Sequence, residues 1–318
     1  MLHKVIKTAA RIFLLVGALA LITACQQEGI PQNITHEDDE EMAFTTANNN
    51  EEPNTEPNAE EATENNGDEN LPSLDNTFVS LIRDNPINLL QLSPLTVGEE
   101  LAVLHTTHGD VVLRFFPTEA PRAVENFVTH ARNGYYDGLI FHRVIPDFMI
   151  QGGCPEGTGR GGQSIWGGTF GTEPSFNVHH FRGALAMAHA GPGTIGSQFY
   201  IVQNSNLYPQ FANIFNRILE HEMDLPVGVF EDGTRVYVRD MHPQEKLEHF
   251  IENGGVPHLD WIWSDSGGHP VFGHVVSGME VVDSIANTPS SAGDRPIQDV
   301  VIERVSFIIY DGNGNCCP

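Results

Sequence analysis

LAVLHTTHGDVVLRFF, residues 101–116, decides the class of fold. Leu101-Ala102-Val103-Leu104 and Val111-Val112-Leu113-Arg114-Phe115-Phe116 are rich in residues that suit a pleated, half-buried surface. The intervening His105-Thr106-Thr107-His108-Gly109-Asp110 contains a glycine that can supply a turn, so a hairpin opens the ordered domain. A helix is predicted next: Pro121 stands near its first turn, Val124, Phe127, Val128 and Ala131 share a face, and Gly134 stops it. Further on, Gly183 to Met187, Gln198 to Val202, Val271 to Val276 and Val300 to Ile309 are strand-like runs parted by Gly-rich loops. That texture favours a barrel or sandwich over a βαβ sheet, in a chain that is mainly β with a few helices.

Between Ser205 and Pro257 the pattern changes. Phe211, Ile214, Phe215, Ile218 and Leu219 form one helical stripe, and Leu247, Phe250 and Ile251 form another. Val227–Phe230 and Thr234–Val238 flank Glu231-Asp232-Gly233, which signals a hairpin. An α/β insertion over about 205–257 is expected.

Upstream, residues 77–100 are interrupted by Pro86, Pro94 and Gly98 and are expected to lead in and pack on the domain's edge. From Gln26 to Asn76 there are fifteen acidic residues and no Lys or Arg. So polar a stretch buries too little apolar surface to offset the entropy of ordering, and residues 25–76 are expected to be a disordered linker. Over the whole chain 16 Lys and Arg face 42 Asp and Glu, a net charge of -26, which excludes a nucleic-acid binder that must neutralise phosphates.

Residues 1–24 have the layout of a bacterial export signal. Lys4, Lys7 and Arg11 form a basic start, Ile12 to Thr23 an apolar run too short to span a bilayer, and Ile22-Thr23-Ala24-Cys25 closes it. The closing pattern resembles a lipobox, which implies cleavage before Cys25 and lipid attached to its sulfur. The expectation is a bacterial membrane-anchored lipoprotein on the extracytoplasmic face, its acidic linker setting the domain's reach. The remaining cysteines, Cys154, Cys316 and Cys317, and the fifteen histidines show no metal-ligand spacing, so no metal is expected. Residues 311–318 read as a flexible tail.

Three further motifs carry chemistry: FHRVIPDFMIQGG from Phe141 to Gly153, GALAMAHAGPGTIGSQFYIV from Gly183 to Val202, and GHPVFGHVVSGMEVVDSI from Gly268 to Ile285. Together, and in this order, they resemble the cyclophilin family over about Leu101 to Ile309. The resemblance implies a closed eight-stranded antiparallel barrel capped by two helices, here carrying the insertion. It also implies peptidyl-prolyl cis/trans isomerisation of exported proteins, with no cofactor. The bond before proline has a rotational barrier of about 20 kcal/mol, and lowering it requires a site that binds the twisted amide more tightly than the planar one.

By match to the family, Arg143 is the catalytic cation and Gln151 hydrogen-bonds the substrate backbone and helps place it. Phe148 and Met149 match walls of the proline pocket. Ala188, His189 and Ala190 match the rim along which the peptide lies, and Gln198 a polar contact. His189 replaces the frequent Asn, and Tyr200 the usual Phe, so its hydroxyl needs a partner if buried. His269 matches the pocket histidine. Pro257-His258-Leu259-Asp260 resembles a variant in which Leu259 lines the pocket and His258 stands where cyclosporin-sensitive members carry Trp. The implied partners are proline-containing peptides, unfolded exported proteins and the membrane through its lipid, the protein itself being a monomer. Two other readings stay open: an inactive peptide-binding module, and a tethered chaperone acting through the insertion.

Overall fold

A computed structural model of the chain describes residues 87–222, 226–229, 233–260, 264 and 268–313. The export signal, Cys25, the acidic linker, residues 77–86, the turn residues Glu231 and Asp232, and Cys316 and Cys317 lie outside the described residues.

The expected hairpin is formed by β1 (Glu100–Thr106) and β2 (Gly109–Phe115), paired antiparallel. Only Thr107 and His108 connect the strands, so the ladder reaches further into the 105–110 segment than composition implied. Gly109, at φ 127°, is required there, because a Cβ would meet the Val281 side chain at 3.0 Å. The predicted helix is α1 (Pro121–Arg132), with Gly134 in the left-handed region just beyond it.

β3 (Arg143–Ile145), β4 (Met149–Gly152), β5 (Ala184–Met187) and β6 (Phe199–Val202) follow. The insertion holds α2 (Pro209–Leu219), β7 (Pro226–Val229), β8 (Arg235–Tyr237), α3 (Val238–Met241) and α4 (Gln244–Asn253). The chain closes with β9 (Val271–Ser277), α5 (Met279–Ala286) and β10 (Ile302–Ile309). Eight strands make one antiparallel sheet in the order β10-β1-β2-β9-β5-β6-β4-β3, and β7 pairs with β8.

The barrel expected to be closed is open between β3 and β10. β3 is only three residues long and runs into Pro146, which has no N–H, and Asp147, which turns the chain at φ 57°. No ladder therefore joins the two end strands. Irregular contacts lie across the seam: the Gly138 and Phe141 amides donate to the Ile302 and Val300 carbonyls at 2.8 and 3.0 Å, and Ile140 forms an isolated bridge with Val301.

Strand alternation divides the apolar residues. Ala102, Leu104, Val144, Ile150, Phe199 and Ile201 enter the main core with Phe127 of α1 and Val282 and Ile285 of α5, the two helices that cover it. Met149, Tyr200 and Val202 point to the opposite face and pack with Phe148, Val256 and Leu259. The insertion has its own cluster, in which Phe215, Ile218, Leu247 and Phe250 from the two predicted stripes meet Phe181 and Leu89.

Candidate functional site

Period-two alternation sets the site. Arg143 lies opposite Gln151 across β3 and β4, and Gln151 opposite Tyr200 across β4 and β6, so the three side chains form a row on one face of the sheet. The eleven positions read as catalytic or substrate-binding all line a single cleft of about 700 Å³ on that face: Arg143, Gln151, Phe148, Met149, Ala188, His189, Ala190, Gln198, Tyr200, Leu259 and His269. They come from five separate parts of the chain, and only the fold brings them together.

Arg143 is half exposed at the cleft edge, its Nε donating to Asp294 Oδ2 over a long 3.4 Å. Gln151 Nε2 donates to Gln198 Oε1 at 2.9 Å, and Gln198 Nε2 donates to the Gly159 and Gly161 carbonyls, each at 2.9 Å. The amides are thus tied in series to a glycine-rich loop that walls the cleft. α1 steadies this wall from below. Asn126 Nδ2 donates to the Gly196 carbonyl at 2.9 Å, its Oδ1 accepts from the Ile165 amide at 2.9 Å, and His130 Nε2 lies 2.9 Å from the Gln163 carbonyl.

His189 and His269 stack with centroids 4.0 Å apart. His189 Nε2 donates to the Gly268 carbonyl at 2.8 Å, while its Nδ1 accepts from the Gly191 amide at 3.1 Å. The side chain that replaces the frequent Asn therefore pins the rim and leaves its backbone in place. His269 Nδ1 donates to the Met187 carbonyl at 3.1 Å, and burial, reinforced by the neighbouring imidazoles His189 and His180, pushes its pKa down to about 3. It is a neutral wall at physiological pH. The hydroxyl of Tyr200 finds a partner inside the protein, 2.8 Å from His180 Nε2, and burial raises its pKa well above the ordinary value.

Several residues at the site carried no assignment in the sequence. Asp294, which contacts Arg143, lies 151 positions away from it. Asp260 sits behind Tyr200 and is buried, with its carboxylate on His179 and His180. The His179-His180 pair showed no ligand spacing because its partner is an aspartate 80 residues on. His258 stacks on Phe148 with centroids 6.0 Å apart, and Leu259 lines the cleft.

The cleft is thus an apolar recess with a guanidinium and two side-chain amides at its edge. The family model described as cyclophilin type peptidyl-prolyl cis-trans isomerase/CLD matches residues 101–225 and 231–307. A Staphylococcus aureus (strain USA300) protein assigned as a peptidyl-prolyl cis-trans isomerase is 45% identical over 208 residues, covering 65% of this chain and 91% of its own. One from Staphylococcus haemolyticus (strain JCSC1435), assigned likewise, is 42% identical over 219 residues, covering 69% of this chain and 96% of its own. The crystal structure of a Cryptosporidium parvum cyclophilin type peptidyl-prolyl cis-trans isomerase is 26% identical with a TM-score of 0.47, covering 67% of this chain and 98% of that one. The chain belongs to the cyclophilin-type peptidyl-prolyl cis-trans isomerases, and its function is that of the family.

Proposed function

We propose that the chain accelerates rotation about X-Pro bonds in exported proteins, with Arg143 as the catalytic group and the surrounding cleft as the substrate grip. The observation that carries this is the placement of Arg143 beside Gln151 at the edge of the one cleft that also holds Phe148, Met149, Tyr200, Leu259 and His269. The proline ring enters the apolar recess, and the peptide lies along Ala188, His189 and Ala190. As the amide twists, its nitrogen loses conjugation and regains a lone pair. A guanidinium keeps its charge and presents rigid donors, so it stabilises that acceptor more in the twisted state than in either planar one. Gln151, held by Gln198, keeps the substrate backbone in register with Arg143. No bond to substrate is made or broken, and no metal or cofactor takes part in the step.

The test is isomerisation of an X-Pro peptide by wild type and by Arg143→Ala. A loss of about a hundredfold or more in kcat/KM is expected, the scale of removing one preorganised donor to a developing charge; equal rates would overturn the mechanism. The inactive-module reading is disfavoured because the charged, amide and apolar parts of the site occur together.

The enzyme works as a monomer tethered to the membrane, its substrates proline-containing segments of unfolded exported proteins. The basic start, the apolar run and Cys25 support the tether. Several acyl chains hold a protein firmly, since burial contributes about 0.8 kcal/mol per CH₂. Cys25→Ala should move the protein from the membrane pellet to the soluble fraction; retention in the pellet would count against the anchor.

A further inference from the structure

A chain of buried polar groups runs from the cleft into the insertion. Tyr200 Oη lies 2.8 Å from His180 Nε2, and His180 Nδ1 lies 2.6 Å from Asp260 Oδ1. That oxygen also accepts from the His180 backbone amide at 2.8 Å, and Oδ2 lies 3.0 Å from His179 Nδ1. Lys246 of α4 completes the chain, its Nζ 3.9 Å from Asp260 Oδ2 and without a hydrogen-bond partner among the described residues. All of these side chains are almost wholly buried: Tyr200 is 4% exposed, Asp260 3%, His179 2%, and His180 and Lys246 0%. An ammonium carried into the interior without a hydrogen bond is expensive unless a carboxylate compensates it.

The donors fix the direction of each bond. An ionised carboxylate only accepts, so both imidazoles turn Nδ1–H toward Asp260. His180 then presents Nε2 as an acceptor, and the Tyr200 hydroxyl donates inward, away from the cleft. Burial pushes the Asp260 carboxyl up, but His179 and His180 outweigh it and hold the group well below the usual carboxylate range. Burial pushes Lys246 down to about 8, with Asp260 opposing the shift.

We propose that Asp260 and Lys246 are positioning residues for the proline pocket: the insertion's buried cation steadies the Asp260 carboxylate, which fixes the His180 tautomer and so locks the Tyr200 ring. This rests on Tyr200 lining that pocket, as read above. The insertion is then part of the active site's support. A wall that grips substrate and twisted amide equally well acts on KM and leaves kcat alone.

The test uses the full chain with nitrogen-labelled histidine, read both by imidazole NMR and by kinetics on a cis X-Pro peptide. In wild type His180 should hold its proton on Nδ1; Asp260→Ala removes the acceptor of that proton, and the proton should move to Nε2, where the Tyr200 oxygen can accept it. KM should rise about tenfold with kcat within about twofold, the scale of one misdirected buried hydrogen bond. In a Tyr200→Phe background the same substitution should change KM less than about twofold, because the hydroxyl to be misdirected is gone. An unchanged tautomer, or an equal rise in both backgrounds, would overturn the proposal.

Lys246→Met retains the apolar stem and serves if Asp260→Ala does not fold. The charged or titratable groups facing Lys246 and Asp260 are His179, His180 and His242, with Tyr200 and His258 beyond. Wild-type KM should rise between pH 7 and 9 as the ammonium loses its proton, and Lys246→Met should abolish that rise; superimposable profiles would overturn the proposal. Arg143→Ala leaves the tautomer untouched, so failure of Arg143 as the catalytic group is distinguishable from failure of this relay.

Discussion

The cleft face of β3, β4 and β6 and the buried face of α4 place their polar groups by opposite routes. On the strands, Arg143, Met149, Gln151 and Tyr200 reach one face because side chains alternate with period two, and the register of two ladders aligns them. On α4, Lys246 follows Glu245 and precedes Glu248 in a chain segment that reads as a charged, solvated helix surface, yet its side chain is fully buried. A strand fixes which face a residue joins before the sheet is assembled. A helix fixes only angular position, and packing decides which angles see water.

The largest effect that would break this comparison is on catalysis. Arg143→Ala should lose about a hundredfold or more in kcat/KM while the thermal midpoint stays within a degree or two, because the side chain is half exposed and its ion pair weak. A substantial fall in the midpoint would mean that the strand face is structural as well as chemical. The insertion should respond in the reverse way. Phe250→Ala removes a fully buried ring in contact with Phe181 and Phe215, and should destabilise by about 3–5 kcal/mol in denaturant unfolding. Little loss there would show that the insertion's cluster is dispensable.

Acid should sharpen the contrast. Burial, with Arg143 and Arg295 adding to it, holds His142 at about 4, below the ordinary 6.5, and neither of its ring nitrogens has a hydrogen-bond partner among the described residues. Between those values the unfolded chain binds the extra proton, so this stability is present above pH 6.5 and is lost as pH falls toward 4. From pH 7 to 5 the loss should be about 2 kcal/mol. His142→Leu should flatten the measured slope by that amount; an unchanged slope would refute the assignment. The smallest effect should come from Asp294→Ala, about threefold or less in kcat/KM, as its contact to Arg143 is long and solvent-screened.

Much of this was legible in advance because it is local. The hairpin at 101–116, the helix from Pro121 and the two stripes of the insertion follow from periodicity and turn chemistry, and the eleven cleft positions from the family resemblance carried by three ordered motifs and the Pro257-His258-Leu259-Asp260 stretch. The open seam was not legible, since β3 and β10 fail to pair for reasons of strand length and the Pro146-Asp147 turn acting across the barrel. Nor was the partner of Tyr200, although the need for one followed from a buried hydroxyl. His180, Asp260 and Asp294 carry no local signature, and each acts on a residue between 20 and 151 positions away.

From residues alone, then, came the mainly β class, the family and, through the family resemblance, the residues that line the cleft, because alternation and short motifs are properties of neighbouring residues. Only tertiary structure decided that the sheet stays open, that Asp294 reaches Arg143, and that Lys246 lies in the interior beside Asp260. Those outcomes depend on distances between segments far apart in the chain. Lys246 stands four residues before Phe250, beside the apolar stripe, but whether a lysine there is solvated or buried is decided by what packs over it.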